Sequence, residues 1–206
     1  MTYEEFSVNF LKGDEKILEI GGNYGRNSCI IATVLKENSS NLVILENNEE
    51  FIPVLEKNKT KNSFKYHIET SILCSKKLIK KNNDIKPSEL LEENYEWIPT
   101  ITYEELLDKY KINFDTLFIS CEGTTFYFIL NDNPKILENI NMIIMENDYQ
   151  DLNYYIYVKN AIINNCFMRF YKKGINNNYL NNTEFEEWKK KQVCLNNFFE
   201  VWKRIN

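Results

Sequence analysis

The sequence predicts an α/β fold: a seven-stranded, mostly parallel sheet that ends in a C-terminal antiparallel hairpin, with helices on both faces. Three observations predict it. Short apolar runs recur at Ile17–Ile20, Leu42–Leu45, Thr116–Ile119 and 142–145, as strands buried on both faces require, with an alternating strand at 64–68 among them. Segments of helical period separate them, which makes βα units with right-handed crossovers. Two further strands close the chain, at 166–171 and 198–202, as antiparallel neighbours.

Taken in order, each element has a local cause. Thr2-x-x-Glu5 is a capping box that opens a short helix through Phe6 and Phe10 to Leu11. Gly13-Asp14 turns into the first strand. Gly21-Gly22-Asn23-Tyr24-Gly25 is a turn, and from Arg26 onward Ile30, Ile31, Val34 and Leu35 recur at helical spacing. Residues 38–41 break the chain before the second strand, which ends at Glu46. A helix over 50–58 points Ile52, Val54 and Leu55 inward, and 64–68 alternates as a third strand. Residues 74–99 are polar and Lys/Asn-rich, an excursion with a small hairpin. Thr102-x-x-Glu105 caps a helix carrying Leu106, Leu107 and Tyr110.

Asp115 leads into the fourth strand, followed by Ser120-Cys121-Glu122-Gly123 and a helix with Phe126, Phe128 and Ile129. Asn133-Pro134 starts a short helical turn, and the fifth strand ends in Glu146-Asn147-Asp148. An aromatic-rich helix over 152–163 leads to the terminal hairpin, whose polar insert holds a helix over 183–190. No repeat and no boundary divides the chain, so residues 1–206 are expected to be one domain.

Composition narrows the function. With 206 residues the chain can bury a full core. Its net charge of −5 argues against nucleic acid as the main substrate, because phosphate binding asks for a basic face. No apolar run is long enough for a membrane span, so a soluble, cytoplasmic protein with no membrane partner is expected. Five widely spaced cysteines and one histidine, His67, give no metal-ligand spacing and no Cys/His nucleophile pair. Cys29, Cys121 and Cys166 lie in apolar segments and are expected to pack as small hydrophobes, and His67 is expected to be structural.

The strand, glycine turn and helix at 17–35 place backbone N–H groups at the mouth of a sheet, where open α/β folds bind ligands. The turn is not the dinucleotide fingerprint G-x-G-x-x-G, since Asn23 and Arg26 occupy its third and sixth positions, and no Gly-Lys-Ser/Thr follows. Glu19 lies beneath the glycines and suits a cationic rather than a phosphate ligand. Glu46 stands twenty-five residues past Gly21 at a strand tip, where an acid can accept from both ribose hydroxyls. Glu69-Thr70-Ser71, at the third strand's tip, is where an adenine edge is expected.

An acid-x-Gly-x-x-x-Gly loop of this kind resembles the first motif of class I methyltransferases, which bind S-adenosylmethionine (SAM). More narrowly, Leu18-Glu19-Ile20-Gly21-Gly22-Asn23-Tyr24-Gly25, then Leu45-Glu46-Asn47, then 114–123 with its Cys121-Glu122-Gly123, resemble the FkbM family. The likeness covers residues 16 to 148 and implies a Rossmann-like methyltransferase fold. It also implies SAM as cofactor and O-methylation of a carbohydrate hydroxyl, with a glycosyltransferase domain or partner in glycan synthesis.

The cofactor set it implies is Glu19, Gly21, Gly22, Asn23, Tyr24, Gly25, Asn27, Ser28, Glu46, Asn47, Glu69, Thr70, Ser71 and Ser120. The catalytic set is Ser120, Glu122, Glu146 and Asp148. Ser120 departs from the family, which carries Asp there. Either another strand-tip acid takes the proton, or the chain is a weakened SAM-binding module. Glu146 with Asp148 could offer oxygen ligands to a divalent cation, but Ser120 lacks the third carboxylate, and no metal is assigned. Acceptor contacts are expected from 76–98 and 173–196, with Tyr179 and Trp188 stacking on a sugar. An RNA or protein methyltransferase is the third reading, disfavoured by the acidic pI and by the absence of an Asn/Asp-Pro-Pro-Tyr motif.

Overall fold

A computed structural model describes residues 8–81, 84–121, 123–147, 149, 151–174 and 198–205. The strands are β1 Ile17–Ile20, β2 Leu42–Leu45, β3 His67–Glu69, β4 Ile72–Leu73, β5 Leu78–Lys81, β6 Asp84–Pro87, β7 Glu96–Ile98, β8 Thr100–Ile101, β9 Thr116–Ile119, β10 Met142–Asn147, β11 Phe167–Gly174 and β12 Phe198–Arg204. The α-helices are α1 Arg26–Leu35, α2 Ile52–Lys61, α3 Tyr103–Tyr110, α4 Gly123–Asp132 and α5 Leu152–Asn164.

Seven strands form one sheet in the order β11-β12-β10-β9-β1-β2-β3. The pairs from β3 to β10 run parallel, and β12 lies antiparallel between β10 and β11. The expected fold class is therefore the observed one.

Alternation along the short strands divides the core. Ile17, Ile44 and Phe118 face α1 and α2, packing on Ile31, Ala32, Leu35 and Leu55. Leu18, Val43, Leu117 and Ile143 face the opposite layer, which Leu106 of α3, Phe126 and Ile129 of α4, and Val158 and Ile162 of α5 complete. Each such side chain contributes about 1.5–3 kcal/mol on burial, so the apolar strand runs decide the architecture.

The capping box is formed: Thr102 Oγ1 accepts from the Glu105 N–H at 3.2 Å, and Glu105 Oε2 accepts from the Thr102 N–H at 2.8 Å. At the far edge the Arg204 guanidinium donates to the carbonyls of Ile140, Asn165 and Leu137, which pins the end of β12 to the turns beside it.

The differences from the sequence reading are local. The third strand is His67–Glu69 rather than 64–68, and α2 runs Ile52–Lys61, with Pro53 in its first turn. The excursion carries a three-stranded sheet, β6-β5-β7, where only a hairpin was expected, and a parallel β4-β8 pair flanks it. Cys166 is exposed at a positive-φ turn (φ 63°), so it does not pack as a small hydrophobe. The segment before Val8, the 183–190 helix, Tyr179 and Trp188 lie outside the described residues. Among the described residues no helix is long and apolar enough to cross a membrane.

Candidate functional site

Strand order reverses between β1 and β9, so their carboxyl ends form the topological switch point where ligands enter open sheets. The glycine turn sits there. Gly21 has φ 90°, and a Cβ on it would lie 2.9 Å from the Cys121 nitrogen. A Cβ on Gly22 would lie 2.4 Å from Ile44 Cγ2. The turn is thus wedged between the tips of β2 and β9 and admits no side chain at either position.

Its N–H groups are mostly spent internally. Those of Gly21 and Gly22 donate to the Leu45 carbonyl at 3.0 and 3.3 Å, and that of Gly25 donates to the Gly22 carbonyl at 2.8 Å. The Asn23 N–H donates to Glu46 Oε2 at 2.7 Å, and the Asn48 N–H donates to Glu46 Oε1 at 2.8 Å. Glu46 is nearly buried at the tip of β2, with each carboxylate oxygen fixed by one backbone donor. Asn47 beside it is exposed.

A cleft of about 190 Å³ opens over this turn. Gly22, Asn23, Tyr24 and Asn27 line one side, and Ser120 and Glu146 from the tips of β9 and β10 line the other. Asn27 Oδ1 is buried without a hydrogen-bond partner. The Tyr24 ring stands at the rim, 4.5 Å from the Phe51 ring. The Ser120 hydroxyl donates to the Gly21 carbonyl at 2.6 Å.

Glu19 is not in the cleft. Its side chain is completely buried between Ile44 and Phe118, on the α1 face with Ser28. Burial pushes its carboxyl up to about 8, with the Glu46 charge adding to the rise and Ser28 opposing it. Strand alternation turns position 19 toward the helix layer, and Ser28 is buried on α1; neither lines the cleft, which corrects the ligand-facing role expected for both.

Glu69 is also committed: Oε1 accepts from the Ser71 N–H at 2.9 Å, and Oε2 accepts from Lys109 at 2.7 Å and from the Tyr110 hydroxyl at 3.1 Å. Burial alone would raise its pKa, but the Lys109 ammonium and the Ser71 hydrogen bonds hold it below the usual carboxylate range. Thr70 stays exposed at the loop. His67 packs its ring 5.1 Å from Tyr110, as a structural residue would. Lys109, Tyr110 and Phe51 were not legible as neighbours of the site, because their partners lie far along the chain or across a loop. Glu122 and Asp148 lie outside the described residues.

The arrangement offers a glycine-floored cleft, one anchored carboxylate at a strand tip, an orphaned amide oxygen, and a second carboxylate, Glu146, across from it. No family model matches the chain, and no curated protein matches it in sequence. Solved structures do share its fold. A ribosomal protein L11 methylase from Lactobacillus delbrueckii subsp. bulgaricus is 10% identical with a TM-score of 0.58, over 98% of this chain and 77% of that one. M. capricolum TrmK, solved with S-adenosyl-homocysteine, is 12% identical with a TM-score of 0.55, over 100% and 69%. An rRNA methylase from Streptococcus thermophilus is 10% identical with a TM-score of 0.55, over 98% and 94%.

The fold is that of class I SAM-dependent methyltransferases. These likenesses correct one expectation. A carbohydrate acceptor, with nucleic acid excluded, does not stand beside structures of the same fold that include an rRNA methylase. The exclusion rested on net charge, which averages over the surface and says little about one local face.

Proposed function

We propose that this chain is a methyltransferase that takes its methyl group from SAM and delivers it to RNA. The observation that carries the cofactor reading is Glu46. Two backbone donors fix its oxygens at the tip of β2, and a carboxylate with about four lone-pair sites keeps room for two ribose hydroxyls. The donor set suits the group in two further ways: Gly22 lets a ligand lie on bare backbone, and the buried Asn27 Oδ1 awaits a donor such as an amino group. When bound, SAM supplies an activated methyl on a sulfonium.

This chain's own part is then mainly orientation, which can supply on the order of 7–11 kcal/mol. Glu146, across the cleft from the turn, is the described carboxylate placed to take a proton from the acceptor, an effect worth roughly 10²–10⁴-fold. The RNA acceptor is supported by the rRNA methylase among the similar structures. The FkbM resemblance and O-methylation, here at a ribose hydroxyl, are the finer form of the same reading.

The test incubates the chain with labelled SAM and unmodified transfer and ribosomal RNA, then identifies methylated nucleosides by mass spectrometry. A labelled nucleoside, lost in Glu46→Gln, is expected. A chain that binds neither SAM nor S-adenosylhomocysteine overturns the reading. A second reading, a SAM-binding module without turnover, is favoured by Ser120, whose hydroxyl is spent on Gly21 where the resembling family carries an acid. Binding without transfer to any RNA would select it.

A further inference from the structure

The cleft over the glycine turn holds a cation as well as a carboxylate. Among the described residues that line it, Arg26 carries the positive charge, Glu146 carries the negative one, and the rest are neutral. Arg26 is exposed at the first position of α1, directly after Gly25, whose φ of 77° carries the chain from the turn into the helix.

For the helix itself this is a poor place for a cation. The amino end of a helix has a partial positive charge, and a like charge in the first turn costs about 0.3–1 kcal/mol. α3 shows the ordinary solution, a Thr102 cap with Glu104 and Glu105 in the first turn. α1 has neither device: Gly25 gives no side-chain cap, and no acid stands in the first turn. First-turn N–H groups have no intrahelical acceptor, so they and the guanidinium together give this wall of the cleft a positive potential.

The surroundings are acidic. Glu46 accepts from the Asn23 N–H at 2.7 Å, just beneath the turn, and Glu146 lines the opposite wall. Both would repel a ligand carboxylate, and Arg26 is the side chain in the cleft that offsets them. Beside it, Asn27 Oδ1 is buried without a hydrogen-bond partner.

We propose that Arg26 grips the carboxylate at the amino-acid end of the cofactor, with Asn27 Oδ1 taking the ammonium of the same end. The inference rests on the cofactor reading above and adds a specificity to it: adenosyl thioethers that keep their carboxylate bind in preference to those that lack it. A guanidinium suits the task because its planar fork meets a carboxylate with two parallel N–H···O bonds. Methyl transfer changes neither the carboxylate nor the ammonium. The contact therefore tightens SAM and S-adenosylhomocysteine alike, without binding the transition state better than the ground state. A phosphate of the acceptor is the other oxyanion a guanidinium attracts. Arg26 lines the cleft from the same turn-to-helix junction as Asn27, which favours the cofactor.

Isothermal titration of the whole chain with S-adenosylhomocysteine, and with its decarboxylated analogue that keeps the ammonium, isolates that one carboxylate. The parent should bind S-adenosylhomocysteine about tenfold or more tighter than the analogue. Arg26→Gln should weaken S-adenosylhomocysteine about tenfold or more and leave the analogue as tight or tighter, since a like charge has gone from beside the ammonium. Arg26→Lys should keep part of the preference, as a point charge without the fork. Circular dichroism should show the same fold in all three chains. An Arg26→Gln chain that loses both ligands equally, or that keeps the parent's preference, would overturn the proposal. So would weaker RNA binding with both adenosyl ligands unaffected, which would assign the guanidinium to an acceptor phosphate. Equal binding of the two ligands by the parent would overturn this inference alone, whereas binding of neither would overturn the cofactor reading with it.

Discussion

The Ser120 hydroxyl donates a 2.6 Å hydrogen bond to the Gly21 carbonyl, joining the carboxyl ends of β9 and β1 across the switch point. This bond holds the glycine turn from the β9 side, as the Leu45 carbonyl does from the β2 side. Ser120→Ala should cost about 1 kcal/mol of stability, the worth of one such bond, read from the urea midpoint. Ser120→Asp, which restores the acid of the resembling family, would set a carboxylate against a carbonyl oxygen. It should cost about 1–3 kcal/mol, and an unchanged midpoint would show that the Ser120 bond does not hold the turn.

Glu19 makes stability depend on pH with a definite sign. Its folded carboxyl sits near 8, above its ordinary 4.5, so the fold prefers the protonated form. That contribution is complete below 4.5 and is lost as pH rises through about 8. The loss is at most about 1.4 kcal/mol for each pH unit in the window. Glu19→Gln keeps the shape without the proton. It should be more stable than the parent at pH 8 and nearly equal at pH 5, as urea midpoints at both values would record. Parallel curves would contradict the assignment.

Lys109 acts in the opposite sense through Glu69, whose side chain is 2% exposed. Because Glu69 is held below its ordinary 4.5, its contribution is present above that value and disappears on acidification. Lys109→Met removes the ammonium and should cost about 1–3 kcal/mol at pH 7, since a nearly buried carboxylate loses its strongest partner. The cost should fade below pH 4.5. Thermal melts at pH 7 and pH 4 would test this, and a cost that does not change with pH would count against it.

Much of this was legible in the sequence, for local reasons. The runs ILEI, LVIL and TLFI could only be buried strands, and Thr102 and Glu105 stated their cap outright. The turn at 21–25 and the acid at 46 were found by spacing, and the structure brings them within one hydrogen bond. Nearness to a strand end points Glu19 at a ligand, but the two-residue alternation of the strand turns its side chain into the core.

The three-stranded sheet at 78–98 leaves no alternation to read, since its strands are three or four residues long and mix charged with apolar residues (LIKK, DIKP and EWI). The ties of Glu69 to Lys109 and of Ser120 to Gly21 span 40 and 99 residues, distances over which a single sequence carries no pairing signal. The acceptor class failed for a different reason, because net charge is a property of the whole chain while an acceptor meets only one face.

The central claim is that the carboxylate at 46 grips an adenosyl cofactor beside the glycine turn. Isothermal titration of the parent and of Glu46→Gln, each with SAM and with S-adenosylhomocysteine, tests it most directly. The account predicts one-to-one binding of both ligands by the parent and roughly tenfold or greater weakening in Glu46→Gln, about 1.4 kcal/mol or more. The absence of binding to either ligand by the parent, or equal affinity in the two proteins, would contradict it.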